Sequence, residues 1–479
     1  MKRVLIFLLF LLPATATWLS CGGTPAGGAK TSGLHYRAFI TNTVSAGTES
    51  AGVFVLDALN DVRARAAPIT AGNTPGIMVV TPNLAQTLIF SGSGTESSDN
   101  ELSFINNATE ENSAHVTLPG MTQSIVVSPD SSTAYVAVPT APVVGQSPGV
   151  VDVVALNPTA GGSFSGEVNV PSVQYLSINN GGNRILGFST GTDSVADAVA
   201  VITPSQIGLG NGASAVTYIG GPGVFDHPIA AFFSSDDSTA YILSCGAECG
   251  GAGASLQQYN LNTNTLVTSL PLCVPSGNSQ QPCASLAAGS VALVSGSTMY
   301  VAGTPPYSGG APSQPCTGQS TASNSCGLLF LVNLNTMSVT NTTPIIITDG
   351  YHDRMALGYN GQLFIGSHGC TEIVPPRPIP AGAEVRGCLS IYNTLPGSVG
   401  SVASGGVLIP AETGDVTGIQ PIYTRQVVYV VQGQNVQGGT LYIYDDTIDA
   451  LYYNKNDENN LGQISGLVGN FYDVVTVDP

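Results

Sequence analysis

Eight short runs with an aromatic or β-branched centre recur along the chain: RAFITN from Arg37, TLIFSGS from Thr87, TAYVAVP from Thr133, RILGFST from Arg184, TAYILSC from Thr239, TMYVAGT from Thr298, QLFIGSH from Gln362 and VVYVVQG from Val427. Successive starts lie 50, 46, 51, 55, 59, 64 and 65 residues apart. A period of that length marks a supersecondary unit that cannot bury its apolar face alone and must stack on its neighbours. Seven of the runs follow another apolar run that ends in a polar turn, as in SIVVSPD at 124–130 or SVALVSGS at 290–297. A third run comes next, such as SLQQYNLNT from Ser255 or TLYIYDDT from Thr440, and a more polar fourth closes the unit, such as SAHVTLP from Ser113. No stretch shows sustained helical periodicity. Four antiparallel strands repeated eight times predict an all-β fold, a single β-propeller over residues 37–479 with eight four-stranded blades. The atypical SINNGGNRILGFST of the fourth unit leaves seven blades as the alternative.

The two ends of the repeat region predict how the ring closes. Arg37 has no first strand before it, whereas YDVVTVDP at 472–479 is a first-strand pattern with nothing after it. The C-terminal strand is expected to complete the first blade, which leaves the ring without an open edge. Within the repeats, SIVVSPDSSTAYVAVP followed by VVDVVALNPTAG resembles the YVTN-type propeller repeat, in which an SPDG-like turn precedes a YV strand. The resemblance spans about residues 37 to 479. It implies the propeller fold and, because some propellers of this kind are lactonase-like, a hydrolase as one function to weigh. Fold alone does not decide between functions.

With strands counted outward from the channel, second-to-third and fourth-to-first loops emerge on one face. The long insertions at 246–254, 305–327 and 369–387 (second-to-third) and at 273–289 (fourth-to-first) all fall in that class, and the opposite-face turns are expected to stay short. Loops that grow on a rigid scaffold are where function is usually grafted. Eight cysteines sit in these loops, and nearest-neighbour pairing gives four expected disulfides: Cys245–Cys249, Cys273–Cys283, Cys316–Cys326 and Cys370–Cys388.

The N-terminus predicts export. Lys2 and Arg3 precede nine apolar residues, Val4 to Leu12, too few to span a bilayer that needs about 20. Ala14-Thr15-Ala16 fits cleavage of a soluble secreted or periplasmic protein, while Leu19-Ser20-Cys21-Gly22 resembles a bacterial lipobox. Cysteine parity favours the second, because a lipidated Cys21 leaves eight thiols to pair. Residues 1–20 are therefore read as a lipoprotein signal peptide and 21–36 as a flexible tether. The protein is expected at the cell envelope, lipid-anchored, with the outer membrane favoured because Gly22 rather than Asp follows the cysteine. The formal charge is −18, and loss of Lys2 and Arg3 makes it −20. So acidic a surface repels phosphate backbones and argues against nucleic-acid binding.

Candidate chemistry lies in two fourth-to-first loops. Asp349-Gly350-Tyr351-His352-Asp353-Arg354 enters the seventh blade and Phe225-Asp226-His227-Pro228 the fifth; His368, beside Cys370, is expected near the same mouth. A histidine beside a carboxylate serves as a metal ligand, a general base or a loop hydrogen-bond network. Arg354 is a candidate anchor for an anionic group, or else pairs with Asp349 or Asp353 and fixes the loop. His115, on an outer strand, is read as simply exposed. The acidic runs at 96–101 and 454–459 offer oxygen ligands for Ca²⁺ but lack EF-hand spacing, and no other cofactor is expected. No H-E-x-x-H motif occurs, so a non-enzymatic, monomeric binding or scaffold module for an envelope protein or glycan is the leading expectation. A lactonase-like hydrolase is the alternative, and would need Asp226, His227, His352 and Asp353 to converge on one point.

Overall fold

The computed structural model describes residues 31–478 except 44–49, 93–98, 190–196, 209–213, 222, 279–280, 284–286, 306–326, 371–386, 411–412, 434–438, 453–461, 465–466 and 468. Residues 1–30, which include Cys21, and Cys316, Cys326 and most of the two acidic runs lie outside the described residues.

The chain forms eight antiparallel blades arranged as a ring. The eight second strands are Arg37–Asn42, Gln86–Ser91, Thr133–Val138, Ile185–Ser189, Thr239–Ser244, Thr298–Gly303, Gln362–His368 and Val427–Gln432. They coincide within one residue with the eight recurring runs. Middle strands are buried on both sides, as Gly52–Asp57 and Gln86–Ser91 are throughout, because each blade packs a neighbour on either face; this is why they read as unbroken apolar runs. Exposure rises outward, so that Thr265–Pro271, the fourth strand of the fifth blade, is largely solvated. The apolar core is accordingly not one centre. Among the described residues it forms eight clusters, one at each interface between adjacent blades.

The sixth blade carries an extra short strand, Ile345–Ile347, on its third strand. A two-stranded hairpin, Pro275–Asn278 with Gln281–Cys283, fills the connection between the fifth and sixth blades. Phe471–Thr476 pairs with Arg37–Asn42 as the innermost strand of the first blade, closing the ring as expected. Arg37 bonds Asp478 through both Nε (2.8 Å) and Nη2 (2.6 Å) and reaches Glu110 of the second blade at 3.0 Å. Upstream, Ser32 donates to Glu110, so residues 31–36 lie against the ring.

The expectation that opposite-face turns stay short holds for most blades and is corrected at two. The first-to-second turns are tight, with Ser131 and Asp237 in the left-handed region; the Asp237 carboxylate accepts the Asn180 and Gly181 N–H groups of the preceding blade at 3.0 and 2.8 Å. The third-to-fourth connections at 203–215 and 394–406 are long, so the fourth and seventh blades also build up the opposite face. His115 is exposed on a fourth strand, as read. Three disulfides form with the expected pairing: Cys245–Cys249, Cys273–Cys283 and Cys370–Cys388.

Candidate functional site

Every innermost strand starts at the face that carries the long loops, so the first residues of these strands line one mouth of the channel. A cavity of about 720 Å³ opens there, with walls from seven blades. Part of its lining is aliphatic and aromatic, including Ile77 and Phe90 of the second blade and Ile229 and Phe232 of the fifth. Another part is polar and aromatic: Tyr175 of the fourth blade, Tyr351, Asp353 and Arg354 of the seventh, and Tyr472 of the closing strand. Tyr175 and Tyr351 reach across the channel until their hydroxyls meet, and Tyr175 also donates to Gln123 Oε1 at 3.4 Å. The Tyr472 hydroxyl stands beside the Arg354 guanidinium.

The Asp353 carboxylate sits between a guanidinium and an imidazole. Its Oδ2 accepts Arg354 Nη1 at 3.2 Å, and its Oδ1 lies 2.9 Å from His368 Nε2. His368 reaches it because it stands opposite Tyr351 in the ladder of the second strand. Arg354 Nε donates to the Thr417 carbonyl of the eighth blade at 2.6 Å. Of the two roles open to Arg354, the structure therefore gives the paired one, with Asp353 and not Asp349 as its ion-pair partner. Beneath lies Asp473, whose carboxyl burial pushes up to about 6 against the opposing pull of Arg354 and the Met78 N–H.

His352 does not face the mouth. Strand alternation sends Tyr351 toward solvent (37 % exposed) and its neighbour inward (0 %). Burial lowers the His352 pKa to about 4, against the weaker opposing influence of the Thr348 backbone and the Asp353 and Asp349 carboxylates. The imidazole is neutral at physiological pH and belongs to the blade core.

Asp226 and His227 line a second, separate pocket of about 540 Å³ on the same face; the two cavities share no lining residue. The disulfide-bearing loop after Ser244 builds this pocket. Ala252 and Gly253 N–H each donate to Asp226 Oδ2 at 2.7 Å, and His227 Nδ1 lies 3.0 Å from Asp226 Oδ1. Burial works to raise the Asp226 pKa, but the Gly253 N–H, His227 and the Ala252 N–H together hold it below the ordinary carboxylate range. Asp197, from the second-to-third loop of the fourth blade, completes a group whose three ligand-type atoms all lie within 4.8 Å of one another. The four groups that a hydrolase would bring to one point are thus divided between a pocket, the channel and the core.

Sequence reasoning missed Tyr175, Tyr472, Asp197 and Glu248. Glu248 sits in the Cys245–Cys249 loop, accepts the Thr304 N–H at 3.0 Å and is pushed up to about 7 by burial. Each of these residues meets its partners across blades, which no local motif announces. The innermost-strand period is the signal that would have found the two tyrosines.

No family model and no curated protein matches this chain. Solved structures do. The dihydro-heme d1 dehydrogenase NirN in complex with DHE aligns over 92% of this chain and 75% of its own, at 12% identity and TM-score 0.52. A putative 6-phosphogluconolactonase from Bacteroides fragilis NCTC 9343 aligns over 93% and 98%, at 9% identity and TM-score 0.44. The hydrazine synthase of Kuenenia stuttgartiensis aligns over 63% and 76%, at 15% identity and TM-score 0.47. At such identities the likeness is one of fold: the chain is an eight-bladed β-propeller.

Proposed function

We propose that this chain is an exported, lipid-anchored binding propeller of the bacterial envelope whose channel mouth takes the end of a neutral, hydroxyl-rich ligand, a glycan. The observation that carries the reading is the channel cavity itself, where tyrosines from three blades surround the paired Asp353 and Arg354. Aromatic faces stack on the C–H faces of sugar rings and lose little side-chain entropy in doing so. A carboxylate beside a guanidinium presents an acceptor and a donor at the spacing of adjacent sugar hydroxyls. Because Asp353 neutralises Arg354, the pair favours hydroxyls over a bare anion, which replaces the expectation of an anionic ligand.

Neutral oligosaccharides titrated into the mature protein are expected to bind with one site per chain. Tyr351→Ala and Tyr472→Ala should each weaken that binding about tenfold, or about 1.4 kcal/mol, with the melting temperature kept. Equal binding by both folded variants contradicts the reading.

Cys21 is proposed as the anchor and the outer membrane as the location, supported by the signal segment, the lipobox-like tail and cysteine parity. A palmitate analogue should label the wild type and not Cys21→Ser; equal labelling rejects the anchor.

A further inference from the structure

We infer that Asp197, Asp226 and His227 form a binding site for a divalent transition-metal ion in the side pocket between the fourth and fifth blades. One ligand-type atom from each of the three converges within 4.8 Å, and they come from two chain segments 29 positions apart, Asp197 and Asp226. The 3.0 Å between His227 Nδ1 and Asp226 Oδ1 is short enough for both atoms to bond one ion at about 2.1 Å.

The site is held in place before any ion arrives. Asp226 Oδ2 is occupied by two backbone N–H groups from the stretch just after the Cys245–Cys249 bridge, which leaves Oδ1 facing His227. The backbone on either side is tied as well: the Cys245 N–H donates to the His227 carbonyl and the Gly246 N–H to the Asp226 carbonyl, both at 2.9 Å. His227 itself takes φ +55°, a left-handed conformation that costs a histidine energy and recurs at functional positions. The loop also approaches too closely for a side chain. A Cβ on Gly251 would stand 1.8 Å from Asp226 Oδ1 and 2.7 Å from His227 Nδ1, so the glycine preserves the space in which an ion would sit.

The donor set selects the ion. One imidazole with two carboxylates suits zinc or manganese better than calcium, which prefers six to eight oxygens. Among the described residues no Lys or Arg forms an ion pair with Asp197 or Asp226, so no basic side chain competes with a metal ion for them. Three protein ligands leave positions open toward a pocket of about 540 Å³, where a small oxygen-bearing ligand would complete the shell.

The test is calorimetric titration of Zn²⁺, Mn²⁺ and Ca²⁺ into EDTA-treated, dialysed protein. The site predicts one Zn²⁺ or Mn²⁺ per chain, bound at least tenfold more tightly than Ca²⁺. His227→Asn and Asp197→Asn should each weaken transition-metal binding at least tenfold. Asn tolerates the left-handed backbone, and a melt checks that each variant is folded. Gly251→Ala should lose binding while all three ligands remain. Absence of saturable Zn²⁺ or Mn²⁺ binding overturns the proposal, and so does wild-type binding by both ligand variants, which would leave Asp226 and His227 as a hydrogen-bonded pair only.

Discussion

Several carboxyl groups lie where water cannot solvate them, and they set how the molecule responds to pH. Asp152 is 1 % exposed, neither of its oxygens has a hydrogen-bond partner among the described residues, and Glu167 stands opposite it in the ladder. Burial, helped by Glu167, pushes its pKa up to about 7. A folded-state pKa above the unfolded value means that the native state binds more protons between the two, so stability falls as pH rises from about 4 to about 7. Glu248 and Asp473 are raised as well, to about 7 and about 6, and act in the same direction. Asp152→Asn removes a buried charge and keeps the shape. It should stabilise the protein at pH 8 by on the order of 2 kcal/mol, and the gain should shrink toward zero at pH 5. Thermal melts at the two pH values check this, and an equal gain at both would assign the effect to packing instead. Such fates are hard to read from sequence: Tyr351 and His352 are adjacent, yet one lines the channel and the other is sealed in the core because the strand's phase sends them to opposite sides.

Elements were far more legible. The second strands are buried on both faces, so each is a compact apolar run whose start the sequence marks within a residue. The short turns were legible too, because Asn and Asp cap their own loops, as Asn260 does by accepting the Asn262 and Thr263 N–H groups. The long connections at 203–215 and 394–406 were not, since nothing in a polar, Gly-rich segment states which face it leaves from. The closing strand was readable because its residue pattern is that of a first strand, and it pairs with Arg37–Asn42. It contributes Phe471, Val474 and Val477 to buried clusters, and Phe471 packs edge-on against Phe54 at 5.9 Å. Removing residues 472–479 strips the Val474 and Val477 contacts, frees most of the edge of Arg37–Asn42 and breaks the Arg37–Asp478 pair. The truncated protein should aggregate or lose its cooperative melt; a transition like that of the wild type would show that the ring does not depend on the clasp.

At the scale of the whole molecule, eight interfaces repeat one packing solution, and the two candidate sites lie at the mouth of the channel and among the loops beside it. The period and the edge logic together made the ring and its closure predictable. The candidate site was only half visible. Tyr351, Asp353, Arg354 and His368 were found because they crowd one pair of strands, whereas Tyr175 and Tyr472 come from the opposite wall and from the far end of the chain. Closure of the ring is what brings Tyr472 beside Arg354, so the candidate site is complete only in the closed propeller. Ligand position is therefore the most direct measurement of the account: a crystal structure of the mature protein soaked with its tightest-binding neutral oligosaccharide. The account predicts a sugar ring within the channel mouth, stacked among Tyr175, Tyr351 and Tyr472, with hydroxyls on Asp353 and Arg354. Sugar bound on the opposite face or at the blade rims, with the channel mouth empty, would contradict it.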